Sequence, residues 1–185
     1  DHLDYGSIKE LNKKTTRFFV PLGVGAHLER WGVPAGKITE LDWWQEARYQ
    51  GLTFAATPSR HFSGRSLSDR MQTLWTSWVI MGQKDRIFFS GDSGYFDGFK
   101  EIGNKYGPFD ITLLENGQYN KLWPNIHMMP EQAVQAHIDL KGKLLLPIHW
   151  GTFALALHPW TEPIERVTAE AGRLNVPIAT PRIGE

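Results

Sequence analysis

The 185-residue chain contains no cysteine. Disulfides and thiolate metal ligation are therefore excluded, and the redox compartment stays open, since a cysteine-free chain suits the cytosol and the periplasm alike. There is no surplus of either charge: 20 Lys and Arg balance 20 Asp and Glu. Without a basic surplus nothing argues for a nucleic-acid partner, and no charge run marks a disordered tail. No apolar run approaches the roughly 20 residues that span a bilayer. Repeats and low-complexity segments are also lacking. What remains is ordinary globular composition, 41% apolar and 22% charged, at a length that suits one domain over residues 1–185 with a sizeable core.

Aromatics are plentiful, with eight Trp and ten Phe. They read mainly as core and pocket lining, and otherwise as a surface for an apolar substrate or a membrane. Ser7 and Glu10 have capping-box spacing and open a short helix with Ile8 and Leu11 inward. Phe18–Pro21 and Ile38–Leu41 read as short strands, with a helix over Ala26–Trp31 stopped by Gly32 between them. Leu52–Ala56, Leu74–Ile80 and Arg86–Ser90 are β-rich, the last two joined as a hairpin through Met81–Asp85. Ile111–Leu114 and Leu144–Ile148 are further apolar strands. Pro130 and Glu131 open a helix with Val134 and Ile138 on its apolar face. Ile164, Val167, Ala171 and Leu174 have helical spacing behind a candidate cap at Thr161, and Pro177-Ile178 suggests a last short strand. The class is α/β or α+β, with hairpins and crossovers mixed.

Ligand-type side chains follow several of these strands directly. His61 ends Thr-Pro-Ser-Arg-His, Asp92 sits in Phe-Ser-Gly-Asp-Ser-Gly, and His149 ends Leu-Pro-Ile-His; Asp1-His2 begins the chain. Strand ends converge on one edge of a sheet, which fixes their geometry. Asp92, in a small-residue turn, is the best placed to bridge two cations about 3.5–4 Å apart. Each residue alone has a plainer reading, as a hydrogen-bonded structural histidine or an Asx turn. His137, inside a helix, reads as structural; His27 and His158 read as surface or packing residues.

In their order and contexts these segments resemble the metallo-β-lactamase superfamily. The branch most similar is that of N-acyl-phosphatidylethanolamine-hydrolysing phospholipase D, through Asp-His-Leu-Asp-Tyr at Asp1–Tyr5, Phe-Val-Pro-Leu-Gly at Phe19–Gly23, Glu-Leu-Asp-Trp-Trp at Glu40–Trp44, Phe-Phe-Ser-Gly-Asp-Ser-Gly-Tyr at Phe88–Tyr95, Glu-Ile-Gly at Glu101–Gly103 with Gly-Pro-Phe-Asp at Gly107–Asp110, and Ile-His-Trp-Gly-Thr-Phe-Ala-Leu at Ile148–Leu155. The resemblance implies an αββα sandwich lacking part of its first half, and a metal-dependent hydrolase, most simply a phosphodiesterase of phospholipase D type; lactone or ester hydrolysis and a metal-poor binding module are the alternatives. It implies two divalent cations, zinc first and manganese or iron next. Asp1, His2, Asp92 and His149 would hold one; Asp92 and His61 would hold the other, with two upstream histidines that this sequence lacks and a missing N-terminal segment would supply. Asp1 would also orient the attacking hydroxide. His127, in Ile-His-Met-Met-Pro-Glu-Gln-Ala, resembles a histidine that faces substrate phosphate, so it takes a substrate or acid role or else a structural one at a helix entry. Leu114-Glu115-Asn116-Gly117 departs from the more apolar stretch expected of the branch; Glu115 or Gln118 either reshapes the site or forms a solvated turn. The implied substrate is a small or lipid-like phosphodiester, with peripheral membrane contact and homo-oligomerisation as further expectations and a cytoplasmic, membrane-peripheral or periplasmic location.

Overall fold

The computed structural model describes residues 2–153 and 155–182. Its centre is a six-stranded sheet in the order β3 (Glu46–Tyr49), β4 (Leu52–Thr57), β5 (Ser77–Met81), β6 (Arg86–Phe89), β7 (Phe109–Glu115) and β8 (Gly142–Ile148). The first four pair antiparallel, and β6, β7 and β8 pair parallel. Tight turns make the antiparallel half. Gln50 and Gly51 both have positive φ, 49° and 81°, as a two-residue hairpin requires. The hairpin at Met81–Asp85 forms, with Gly82 donating to the Asp85 carbonyl. The strand expected over Leu74–Ile80 starts only at Ser77, because the Leu74 amide is drawn to the Leu22 carbonyl at 2.8 Å.

Parallel pairing needs crossovers, and two helices supply them. Helix α3 (Gly98–Tyr106) links β6 to β7, and α4 (Pro130–Asp139) links β7 to β8; α5 (Glu162–Leu174) packs on α4. Their inner faces and the sheet bury Phe88, Phe99, Ile102, Phe109, Leu114, Met128, Val134, Leu145 and Val167. Each such side chain contributes about 1.5–3 kcal/mol of burial. Ile138 does not join them, being 42% exposed; the inner stripe of α4 is instead Ala133, Val134, Ala136 and His137. Helix α3 escapes a reading by apolar pattern because it contains Gly98 and Gly103. Gly103 is needed there, since a Cβ would strike the Asp139 carbonyl oxygen. Residues 177–178 contribute one bridge, Leu145 to Ile178.

On the other side of the sheet lies a smaller unit. β1 (Phe18–Pro21) and β2 (Ile38–Leu41) pair in parallel through α2 (Val24–Arg30) and a short 3-10 turn, Ala35–Lys37, and α1 (Tyr5–Lys14) packs beside them. Ile8, Val20, Leu28 and Val33 form its core. Phe19 stacks on Phe54 of β4 at 4.5 Å and joins the two layers. Helices, six strands, two strands and helices thus follow the αββα order. Two details at α1 differ from expectation. Its cap is Asp4, whose Oδ1 accepts the Ser7 amide at 2.7 Å, while Glu10 pairs with Lys13. Leu11 is largely exposed, because the helix touches the core on the Ile8 side alone.

Candidate metal centre

Antiparallel pairing of β4 with β5 and of β5 with β6 makes β4 point the same way as β6, β7 and β8. The carboxyl ends of these four strands share one edge, where open α/β sheets place their ligands. His61 follows β4, Asp92 follows β6, Glu115 ends β7 and His149 follows β8. His127 comes in just before α4, and His2 just before α1. Asp1 lies outside the described residues.

The loop carrying Asp92 is clamped by two fully buried serines. Ser90 Oγ accepts the Glu115 amide at 3.0 Å and donates to the Gly91 carbonyl at 2.6 Å. Ser93 Oγ accepts the Arg60 amide at 2.9 Å, which ties the Asp92 loop to the segment bearing His61. Gly91 has φ +58° and Gly94 has no room for a Cβ against the Asn125 backbone, so glycine is required on both sides of the carboxylate. His149 itself sits at φ +63°, a left-handed backbone costing about 1–2 kcal/mol that turns its ring back over the sheet edge.

The side chains converge. His2 Nε2 lies 2.9 Å from Asp92 Oδ2, and His149 Nε2 lies 3.5 Å from Asp92 Oδ1. His61, Asp92 and His127 form a second group and Glu115, His127 and His149 a third; within each, ligand-type atoms lie within 4.8 Å of one another. The His127 ring is 5.4 Å from those of both His61 and His149. Burial pushes the His61 imidazole below its ordinary pKa, against the pull of the Phe62 carbonyl and Asp92. The Glu115 carboxylate facing Nδ1 holds His149 above its ordinary value despite burial. Imidazoles and carboxylates without thiolate are the donor set of zinc, manganese or iron, and Asp92 offers its two oxygens to different imidazoles, so the residues present fit a divalent cation.

His137 is far from this cluster, buried in α4 with Nδ1 2.7 Å from Thr112 Oγ1. His158 stacks on Tyr119 and His27 packs near Trp31. Glu115 was legible only as one of two alternatives; the structure removes the solvated turn, since Glu115 is completely buried. Its signal was the one that marks Asp92 and His149, a ligand-type residue at the end of an apolar strand.

A groove of about 620 Å³ runs from His2, His61, Asp92 and His149 along Val20, Leu74, Trp75, Trp78 and Phe89. A smaller cavity of about 380 Å³ shares His2, Asp92 and His149 and extends to His127, Gln118 and Phe153. Gln118 pins its rim: Nε2 donates to the Phe153 carbonyl at 2.6 Å, and Oε1 accepts the Leu155 and Ala156 amides at 3.0 and 2.8 Å.

Residues 1–150 match the family described as Beta-lactamase superfamily domain. An uncharacterized Mycobacterium tuberculosis protein is 51% identical over the whole chain, which covers 50% of that protein. N-acyl-phosphatidylethanolamine-hydrolyzing phospholipase D 1 of Caenorhabditis elegans is 33% identical over 167 residues, 84% of this chain and 47% of that one. The chain thus spans about half the length of the curated relatives it matches. Among solved structures, Igni18, a metallo hydrolase from Ignicoccus hospitalis, superposes with a TM-score of 0.75 over 97% of this chain and 71% of its own at 21% identity, a likeness of fold. Sheet order, the imidazoles and carboxylates at the strand ends and the match over residues 1–150 lead to one conclusion: the chain belongs to the β-lactamase superfamily.

Proposed function

We propose that this chain carries the binuclear metal centre of a phosphodiesterase of phospholipase D type, with zinc as the first candidate cation. The observation that carries this reading is Asp92, which is common to the group with His2 and His149 and the group with His61 and His127, beside an apolar groove. Similarity to the Caenorhabditis elegans phospholipase supports the choice of phosphodiester over lactone or ester.

When bound, divalent cations there would supply a Lewis acid and a water of lowered pKa. His2, Asp92 and His149 would hold one, and His61 and Asp92 would hold the other, with Asp1 added to the first set. His127 stands between His61 and His149, where it can contact a substrate phosphoryl oxygen or serve the leaving group. Its approach to His61 and Asp92 also lets it take a place that the resemblance gives to upstream histidines. Trp75, Trp78, Phe89 and Leu74 would receive an acyl or aryl arm and keep water from it. Binding energy from that remote arm is available to orient the scissile bond.

The test is hydrolysis of a bis-aryl phosphate and a panel of lactones by protein loaded with zinc or manganese. Phosphodiester turnover that chelator removes and metal restores is expected. Lactone turnover with an inert phosphodiester would refute the reading.

A further inference from the structure

Glu115 is the one charged side chain of the cluster that is completely buried, and the resemblance expects an apolar stretch there. Burying a carboxylate is costly unless donors surround it. Two backbone donors are in place. Oε1 accepts the Met128 amide at 2.6 Å, which keeps the carboxylate from turning away, and Oε2 receives the Gly117 amide at 3.4 Å. Oε2 also faces two imidazoles, with His127 Nδ1 at 3.4 Å and His149 Nδ1 at 3.7 Å. Both Nδ1 atoms are buried and have no hydrogen-bond partner.

The sign of these two contacts depends on the proton. With hydrogen on Nε2, each Nδ1 would turn a lone pair toward an anion in a medium that screens poorly. With hydrogen on Nδ1, each ring instead turns an N–H toward the carboxylate, adding to its two backbone donors. His149 gives the second half of the argument: its Nε2 points to Asp92 Oδ1, into the proposed cation site, and a cation needs that nitrogen bare.

We propose that Glu115 is a positioning residue whose carboxylate fixes both His127 and His149 as Nδ1–H tautomers, leaving Nε2 of His149 free to ligate and Nε2 of His127 free to take a cation or a second proton. One anion from β7 thus sets the protonation pattern of two rings carried by other segments. Gly117 keeps the arrangement compact, because any Cβ there would overlap the His149 carbonyl oxygen. The consequence for metal binding and the His149 tautomer rest on the reading in Proposed function, since without a cation Asp92 Oδ1 at 3.5 Å also draws a proton to His149 Nε2; the His127 tautomer does not.

Two measurements separate them. Long-range ¹H–¹⁵N correlation spectra of metal-free protein, at alkaline pH where imidazole is neutral, read the tautomer of each ring. Nδ1–H is expected at His127 in wild type, and a shift toward Nε2–H at both rings in Glu115→Gln, whose amide can still accept the Met128 N–H but turns N–H groups to the rings. Nε2–H at His127 in wild type, or spectra unchanged in the variant, would overturn the proposal. Zinc titration against a competing chelator should show affinity about 10–100-fold weaker in Glu115→Gln, with partial rescue in Glu115→Asp. Equal zinc affinity in wild type and Glu115→Gln also overturns it. Wild type that binds no zinc would refute the metal reading while the tautomer spectra still decide the role of Glu115, and they do so on wild type alone if the variant fails to fold.

Discussion

Lowering the pH from about 7.5 to about 5 should cost this fold about 2 kcal/mol through one imidazole, that of His137. The ring is 2% exposed on the inner face of α4, bonded to Thr112 Oγ1 and packed so closely against Gly142 that a Cβ there would overlap it. No carboxylate is among these partners, and burial pushes its pKa down from 6.5 to about 4. The unfolded chain therefore takes up the proton first. The contribution to stability is complete above the unfolded pKa of about 6.5, falls as pH drops toward about 4, and is flat below that. At about 1.4 kcal/mol per pKa unit, the whole shift amounts to roughly 3 kcal/mol, and about 2 of it is lost by pH 5. Urea unfolding followed by circular dichroism, on metal-free protein at both pH values, measures the loss. The same measurement on His137→Gln isolates it, because an amide takes no proton there while every other group titrates as before. Wild type should lose about 2 kcal/mol more than the variant. Parallel losses would refute the reasoning, as would a titration of His137 near its ordinary value.

Two further perturbations probe the edge of the sheet. Gly117→Ala should destabilise the protein by about 3 kcal/mol and weaken zinc binding, since the new methyl meets the backbone of His149 and neither side can yield; thermal unfolding and metal content check it. Gln118→Ala should leave the thermal midpoint nearly unchanged and raise amide exchange at Leu155 and Ala156 by about 10-fold, as each amide loses its acceptor; unchanged exchange would show that the rim is held by other contacts.

How much of this was legible follows from where the information lies. The strands at Phe18, Leu52 and Arg86 announce themselves because each is a short apolar run ended by Pro, Gly or Ser, those at Ile38 and Leu144 by their apolar residues alone, and a polar side chain just past such a run is displayed at a sheet edge whatever the rest does. The start of α4 was equally plain, because Pro130 followed by Glu131 suits a first helical turn. Features decided by tertiary contact were hidden. Helix α3 carries two glycines that lower its local helix signal; Gly103 lets it approach the end of α4, and Gly98 makes room for the Phe96 ring. Strand β3 is Glu-Ala-Arg-Tyr, half exposed, and is a strand only because β4 pairs with it. Glu115 could face solvent or the interior, and the choice is made by Met128 and Ser90, remote in sequence. Ser7 lost its capping role to Asp4 because the helix begins earlier than the Ser-x-x-Glu spacing suggests.

The converging groups are widely scattered along the chain. Ninety positions separate His2 from Asp92, which yet meet at 2.9 Å. Cations held at these two residues and at His61 and His149 would act as cross-links closing loops of tens of residues at once, which in a flexible chain is entropically expensive. Ligand capture is then a report on the whole architecture: releasing any one of the three strands that carry His61, Asp92 and His149 from its register opens the grip. For such a protein occupancy and folding are two readings of the same equilibrium, and a substitution far from the edge can lower one by loosening the other.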